Sequence, residues 1–272
     1  MRSDELIISI KKGRSAIFGT GYVAGMLWKA VEINQVEDYP DFFLVNYGET
    51  KKIYGKPVKT LSKTFVDDRL ILIAVHEANY REVDIILEKA GWRNRIWVYP
   101  YLHELLFGPV LERKQISLKK LLIAQDPKKY WLAVRLCGIE GWKDIYCKTM
   151  ALHSSLKTAE IRYKNLQAIK QNMEGKGYDQ HCPILIDKQY RIIDGLHRVA
   201  LCRSLGIEMI PADIVAACEV YEQLFSDDNQ LPRQMLRKAQ LTDDETLKVL
   251  KAQQKLLVEG ELIISCVDKE CL

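Results

Sequence analysis

The sequence predicts two α/β-type domains, the first built on a parallel sheet and the second of α+β type. Three observations carry this: a strand, glycine turn and helix in succession at residues 15–32, continued alternation of short apolar runs with helical stretches to residue 98, and a hairpin, turn and helix at residues 183–205. A length of 272 residues suits two ordinary domains. With 48% apolar and 28% charged residues, the composition is that of a globular protein able to bury a core, with no push toward disorder.

Ser15 to Phe18 reads as the first strand, Gly19-Thr-Gly21-Tyr-Val-Ala24-Gly25 as a turn, and Met26 to Glu32 as a helix. Strands at Phe42–Val45, Leu70–Val75 and Arg95–Val98 follow, with a helix over Tyr80–Ala90 stopped by Gly91. Strands spaced by helices predict a parallel sheet. Gly55-Lys-Pro57-Val58 and Leu61-Ser62 read as a turn leading into a short segment. Residues 109–150 mix short helical pieces with breakers at Pro109, Asp126-Pro127, Gly138 and Gly141, and are read as an inter-domain region whose Tyr130, Trp131, Trp142 and Tyr146 serve packing. Domain boundaries are therefore placed at 1–108 and 151–272.

In the second domain an amphipathic helix over Thr158–Met173 sets Tyr163, Leu166, Ile169 and Met173 on one face, and Gly175 and Gly177 end it. Strands at Pro183–Ile186 and Arg191–Ile193 form a hairpin around Asp187 to Tyr190. Asp194-Gly195 then opens a helix from Leu196 to Leu205, stopped by Gly206, and a strand follows at Ile210–Val215. Thr242-Asp-Asp-Glu245 is a capping box for a helix to about Val258, and Glu261–Val267 reads as a late strand, so this domain carries a C-terminal helical extension.

Charge and cysteine usage exclude several classes. Residues 151–272 hold 16 Lys/Arg against 18 Asp/Glu, so the net +4 of the chain lies in residues 1–150, which carry +6. A DNA-binding domain should carry the basic excess, and the domain with the sharper motif does not. Seven scattered cysteines without a C-x-x-C pair indicate neither a disulfide framework nor a zinc ribbon, and no metal-ligating set is assigned. Leu70–Val75, the longest apolar run, is far short of the roughly 20 residues that cross a bilayer, and Asp4 and Glu5 do not suit a signal peptide. A cytoplasmic chain with no membrane insertion is the expectation.

Two sites could carry chemistry. In Gly19-x-Gly21-x-x-Ala24 the first glycine permits the bend, the second lets backbone approach a pyrophosphate, and the third small residue lets helix pack on strand. Such a turn is Rossmann-like and could bind a nucleotide, or it could be scaffold with a repurposed cleft. Asn46 stands where a ribose-binding acid usually ends the second strand, and Glu49 lies three residues on, so NAD is not expected to bind. His76 follows the third strand, a position suited to a ligand or to an ordinary surface hydrogen bond.

Residues 12–107 resemble the small Rossmann domains at the front of bacterial polysaccharide-modifying proteins, through Gly19-Thr-Gly21, Gly55-Lys-Pro-Val58 with Leu61-Ser62, and Leu70–Val75 with Tyr80 after it. That resemblance implies a setting in sugar-nucleotide or cell-surface polysaccharide synthesis.

The second site is Asp194-Gly195-Leu196-His197-Arg198, set after a hairpin and followed by Val199-Ala200 and Leu205-Gly206. The first N–H groups of the helix, His197 and Arg198 converge on one spot, which favours anions. Residues 152–217 resemble the ParB/sulfiredoxin superfamily, whose mark is a phosphate-binding G-x-H-R turn after a hairpin. Leu196 occupies the place of the sulfiredoxin cysteine, which argues against that chemistry. The acidic balance and short tail argue against a chromosome-partitioning, DNA-binding ParB protein. The resemblance then points to the branch of the ADP-dependent free-serine kinase, although Leu196 replaces that branch's first histidine. It implies phosphate binding by Gly195, His197 and Arg198, an active centre holding Asp194 and His197, Glu160 as the upstream candidate base, ATP, ADP or CTP with Mg²⁺ as cofactor, and a small hydroxylated metabolite as substrate. The competing reading is a nucleotide-binding sensor or scaffold without catalysis, in which Asp194 caps the helix and Arg198 pairs with Asp187 or Asp213.

Overall fold

A computed structural model describes residues 3–36, 39–48, 52–121, 126–216 and 232–258. The chain divides at Gly108 into two compact α/β units, and the sheet of the first is mostly parallel.

In the first unit a helix α1 (Ser3–Lys12) precedes strand β1 (Ser15–Phe18), α2 (Tyr22–Ile33), β2 (Phe42–Val45), β3 (Lys52–Ile53), β4 (Lys56–Thr60), β5 (Leu70–Ile73), α3 (Glu77–Lys89), β6 (Arg95–Trp97) and α4 (Leu102–Phe107). The strand order is β3-β4-β2-β1-β5-β6, parallel except where β3 meets β4. Strand order therefore reverses at β1, the topology that opens a crevice beyond the carboxyl ends of the central strands. Central strands buried on both faces read as continuous apolar runs, as SAIF, FFLV and LILI do. Ala16, Phe18, Leu44, Ile71 and Ile73 pack with Leu87 of α3 on one face, and Phe43 meets Trp28 of α2 on the other at 6.1 Å between rings.

The turn expected at residues 55–62 is a short hairpin, β3 with β4, which widens the sheet; Gly55 supplies its positive φ of 75°. The sequence reading assigned no element to α1, whose Leu6, Ile7 and Ile10 are buried, or to α4, whose Leu102, Leu105, Leu106 and Phe107 are buried.

The second unit contains β7 (Glu112–Ser117), α5 (Asp126–Ile139), α6 (Lys143–Met150), α7 (Leu156–Lys176), β8 (Ile184–Asp187), β9 (Ile192–Asp194), α8 (Leu196–Ser204), β10 (Met209–Val215), α9 (Pro232–Lys238) and α10 (Asp243–Val258). Its sheet runs β7-β10-β8-β9, with β10 parallel to β8 and the other pairs antiparallel. Residues 109–150 are not a connector. They supply β7, hydrogen-bonded along β10, and the helices α5 and α6, and Ile116, Tyr130, Val134, Ile145 and Tyr146 join Ile184, Ile192, Val199 and Ile210 in one core. Gly138 does not break α5, because the ring of Tyr146 lies where a Cβ would stand, 2.8 Å from Cδ2.

Helix α7 starts two residues before the expected Thr158, since the Ser155 hydroxyl accepts a hydrogen bond from the Thr158 N–H and caps it. It runs through Gly175 and ends at Gly177, φ 75°. Leu166 and Met173 are buried as the amphipathic pattern requires, while Ile169 is 39% exposed. At α10 the capping box forms as read: Thr242 N–H donates to Glu245 Oε2 (2.8 Å) and Glu245 N–H to Thr242 Oγ1 (3.3 Å). The late strand expected at 261–267 lies outside the described residues. Among the described residues no helix is long and apolar enough to cross a membrane.

Candidate functional site

The hairpin of β8 and β9 is built around Asp187, which is fully buried. Its Oδ1 accepts the N–H groups of Gln189 and Arg191, both at 2.9 Å, and its Oδ2 accepts Arg191 Nε at 2.5 Å. One carboxylate thus closes the turn and neutralises the buried guanidinium that follows it. Leu185 pairs with Asp194 and Ile186 with Ile192, so Ile193 falls outside the register as a bulge. A bulge leaves a ladder group unpaired and re-aims the strand. Here the Ile193 carbonyl accepts Lys128 Nζ from α5 at 3.0 Å.

Gly195 follows with φ 105°, a left-handed conformation, and is the residue immediately before α8. A Cβ there would stand 2.5 Å from Ile184 Cγ2. Glycine is required both by the dihedral and by the contact. Asp194 does not cap α8, which has no side-chain cap; its Oδ2 instead accepts Arg198 Nη2 at 2.9 Å. Arg198 Nη1 donates to the carbonyls of Cys182 (2.7 Å) and Pro183, so its guanidinium ties the start of β8 to the turn. Neither Asp187 nor Asp213 is its partner, since Asp187 holds Arg191 and Asp213 holds Arg113 at 2.6 Å.

His197 Nε2 shares a 2.7 Å hydrogen bond with the Tyr146 hydroxyl of α6. Burial, reinforced by the charges of Arg135, Arg162 and Arg198, holds the imidazole well below its ordinary range. The ring is neutral. Burial also pushes the Tyr146 phenol up to about 12, so it keeps its proton; its hydroxyl donates to Nε2 in the tautomer that carries the ring hydrogen on Nδ1, and accepts from Nε2 in the other. Tyr146, read from the sequence as packing alone, therefore orients the motif histidine. Only the Tyr146/His197 pairing in space reveals this, because the two lie on separate helices.

The cationic neighbours are also invisible in the motif. Burial lowers Lys128 to about 7, helped by Arg135 and opposed by Asp194. Burial likewise lowers Arg135 to about 10, helped by Arg162 and opposed by Tyr146 and Asp194. A depressed Lys128 has a defined consequence for stability. Between about pH 7 and the ordinary lysine range the unfolded chain holds a proton there that the folded chain has shed, so unfolding free energy should rise with pH across that window. Cysteines held above their ordinary value act in the opposite sense at high pH, so the quantity to follow is the difference: in denaturant unfolding at pH 7 and pH 9.5, wild type should gain stability relative to Lys128→Met as pH rises. An identical slope in both proteins would refute the assignment.

Glu160, the candidate base, is exposed on α7, and its charge reaches Cys147. Among the described residues no hydrogen bond or ion pair joins it to Asp194, His197 or Arg198. The described residues contain no cluster of three or more His, Cys, Asp or Glu side chains suited to a metal. Magnesium is commonly held by one or two carboxylates together with substrate phosphates, and Asp194, bonded to Arg198 through Oδ2 and with its side chain 53% exposed, is the carboxylate of the turn.

In the first unit, Gly19 has φ 112°, and a Cβ there would stand 2.9 Å from the Ala74 carbonyl oxygen. Gly21 precedes α2, and Ala24 is buried beneath it. Asn46 is exposed just past β2, and Glu49 lies outside the described residues. His76 sets its ring 5.0 Å from that of Tyr99. Trp97 stacks on Tyr80 at 4.5 Å and donates to the Val75 carbonyl.

No family model and no curated protein matches the chain. Among solved structures, the ParB-N domain of a Pnob8-like protein is similar at 14% identity and a TM-score of 0.26, over 56% of this chain. The chain spans 64% of the length of that structure. A likeness of that degree assigns neither ligand nor role.

Proposed function

We propose that the second unit binds a nucleotide through its phosphates at the Asp194–Arg198 turn. The observation that carries this reading is the convergence of the α8 N-terminus, neutral His197 and four basic side chains beside a single exposed carboxylate. The free N–H groups at the start of a helix and its dipole favour an anion. His197 would add its Nδ1–H as a donor. Arg135, Arg162 and Arg198 would supply the charge, joined by Lys128 below about pH 7, and Mg²⁺ would be held by Asp194 with the nucleotide's phosphates.

ATP, ADP and CTP are the nucleotides to be tested. Calorimetric titration should show binding by the wild type and an affinity weaker by about tenfold or more in Arg198→Gln, the loss of one charge-assisted contact. Circular dichroism of the variant checks that the fold is kept, since Arg198 Nη1 also donates to the Cys182 and Pro183 carbonyls. The absence of binding by wild type with or without Mg²⁺ would refute the reading.

Transfer of a phosphoryl group to a small hydroxylated metabolite is the activity this site would support. Asp194 is the carboxylate placed for it, because phosphoryl transfer asks chiefly for positioning and charge neutralisation. The exposed position of Glu160, unconnected to the turn, favours the second reading, in which the bound nucleotide is sensed and not consumed. The resemblance of the first unit to domains of polysaccharide-modifying proteins supports placing either activity in cell-surface polysaccharide synthesis. Nucleic acid and NAD are not proposed as ligands.

A further inference from the structure

The two charged side chains of the Gly195 turn hold each other. Asp194 Oδ2 accepts Arg198 Nη2 at 2.9 Å. That nitrogen lies against the turn itself, since a Cβ on Gly195 would stand 3.4 Å from it. The other arm of the fork, Nη1, donates to the carbonyls of Cys182, at 2.7 Å, and Pro183. The guanidinium therefore has a fixed anchorage through Nη1 and an exchangeable contact through Nη2. Solvent reaches both partners, because the side chains of Arg198 and Asp194 are 24% and 53% exposed.

A carboxylate oxygen on a guanidinium takes the place that a phosphate oxygen would take, with the same charge-assisted bond. Asp194 is thus an anion of the chain itself, seated on a donor that the phosphate site uses. It is also the carboxylate on which a divalent cation would be held. A single carboxylate carries one negative charge, so a cation at Oδ1 and a guanidinium at Oδ2 would set two positive centres against it. Cation and Arg198 compete for Asp194, while phosphate and Asp194 compete for Arg198. Both competitions turn on the same 2.9 Å contact.

We propose that the Asp194–Arg198 ion pair is a latch that a divalent cation and a phosphate group open together, so that the two ligands bind with positive coupling. Either ligand alone must break the pair and leave one member without its partner. The two together break it once, with the cation on Asp194 and the phosphate on Arg198 Nη2. Opening asks only for rotation of the exposed Asp194 side chain, since Arg198 keeps its two carbonyls. The proposal rests on the phosphate-binding reading above and adds to it how the site is regulated. Because coupling is reciprocal, Mg²⁺ must tighten phosphate by the same factor as phosphate tightens Mg²⁺.

Calorimetry on the full chain tests this with inorganic phosphate and Mg²⁺ as the probes, each titrated alone and in the presence of the other. Wild type should bind phosphate about threefold or more tightly with Mg²⁺ present, and the reciprocal titration should return the same factor. Asp194→Asn keeps an acceptor but not the charge; it should bind phosphate alone about two- to fivefold more tightly than wild type, the range of a partly exposed ion pair, and gain nothing further from Mg²⁺. Arg198→Gln frees the carboxylate, so it should bind Mg²⁺ alone more tightly than wild type by a similar factor while its phosphate affinity falls. A merely structural Asp194 predicts the reverse for Asp194→Asn, an unchanged or weaker phosphate affinity. That result, or a wild-type phosphate affinity indifferent to Mg²⁺, would overturn the proposal. The two readings fail separately. Nucleotide binding that depends on Arg198, without any coupling between phosphate and Mg²⁺, would sink the latch alone. Coupled phosphate and Mg²⁺ binding, with no nucleotide bound, would sink the nucleotide reading alone. No phosphate bound by any of the three proteins, with no nucleotide bound, would remove both.

Discussion

Gly195→Ala should lower the unfolding free energy of the second unit by about 2–5 kcal/mol, combining the penalty for a left-handed non-glycine residue with that of overpacking a close contact. The methyl group would meet Ile184 Cγ2 at 2.5 Å, and Ile184 is itself fully buried in β8, so it has little room to yield. Either β8 shifts or α8 does, and both movements carry His197 and Arg198 away from the turn. Urea unfolding followed by circular dichroism would report the loss, and phosphate or nucleotide binding should fall with it. A change below about 1 kcal/mol, within the ordinary range of a surface substitution, would show that the turn can relax around a side chain.

Asp187→Ala should be of similar size, about 3–5 kcal/mol, because it removes a carboxylate paired with a buried guanidinium. The Arg191 side chain is 5% exposed, and the lost carboxylate is the acceptor of its Nε and of two backbone N–H groups in the same turn. The double change Asp187→Ala with Arg191→Met removes the charge as well, and should recover a sizeable part of the stability if the lost charge pairing is the main cost. Recovery of nothing would place the cost in the turn's backbone bonds instead. The same denaturation measurement separates the two causes.

The parts of the fold that were legible in the sequence are those governed by local rules. The apolar runs at 15–18, 42–45 and 70–73 announce buried parallel strands, and the Thr242 to Glu245 spacing announces a helix start, because these signals are complete within a few residues. The Asp194–Arg198 turn was legible for the same reason, with its glycine enforced by backbone conformation. Residues 109–150 were misread because breakers were counted without their partners. Gly138 looks like an interruption until Tyr146 fills the space beside it, and β7 reads as polar, ERKQIS, because its pairing with β10 comes from a segment about a hundred residues away.

What the sequence determined by itself about this protein is two α/β units, the strand-turn-helix of Gly19 and Gly21, and a hairpin feeding a glycine-opened helix. What only the tertiary structure decided is who meets at that helix. Arg198 is engaged by Asp194 and two carbonyls, and His197 is bonded to Tyr146 while burial and the charges of Arg135, Arg162 and Arg198 hold its imidazole well below the ordinary range. Glu160 is turned to solvent. Backbone dihedrals and hydrophobic periodicity act over a few residues, so sequence encodes them openly. The charge state of a buried group depends on every cation and acceptor within several ångströms, and here those come from α5, α6, α7 and β9, brought together only by the shared core.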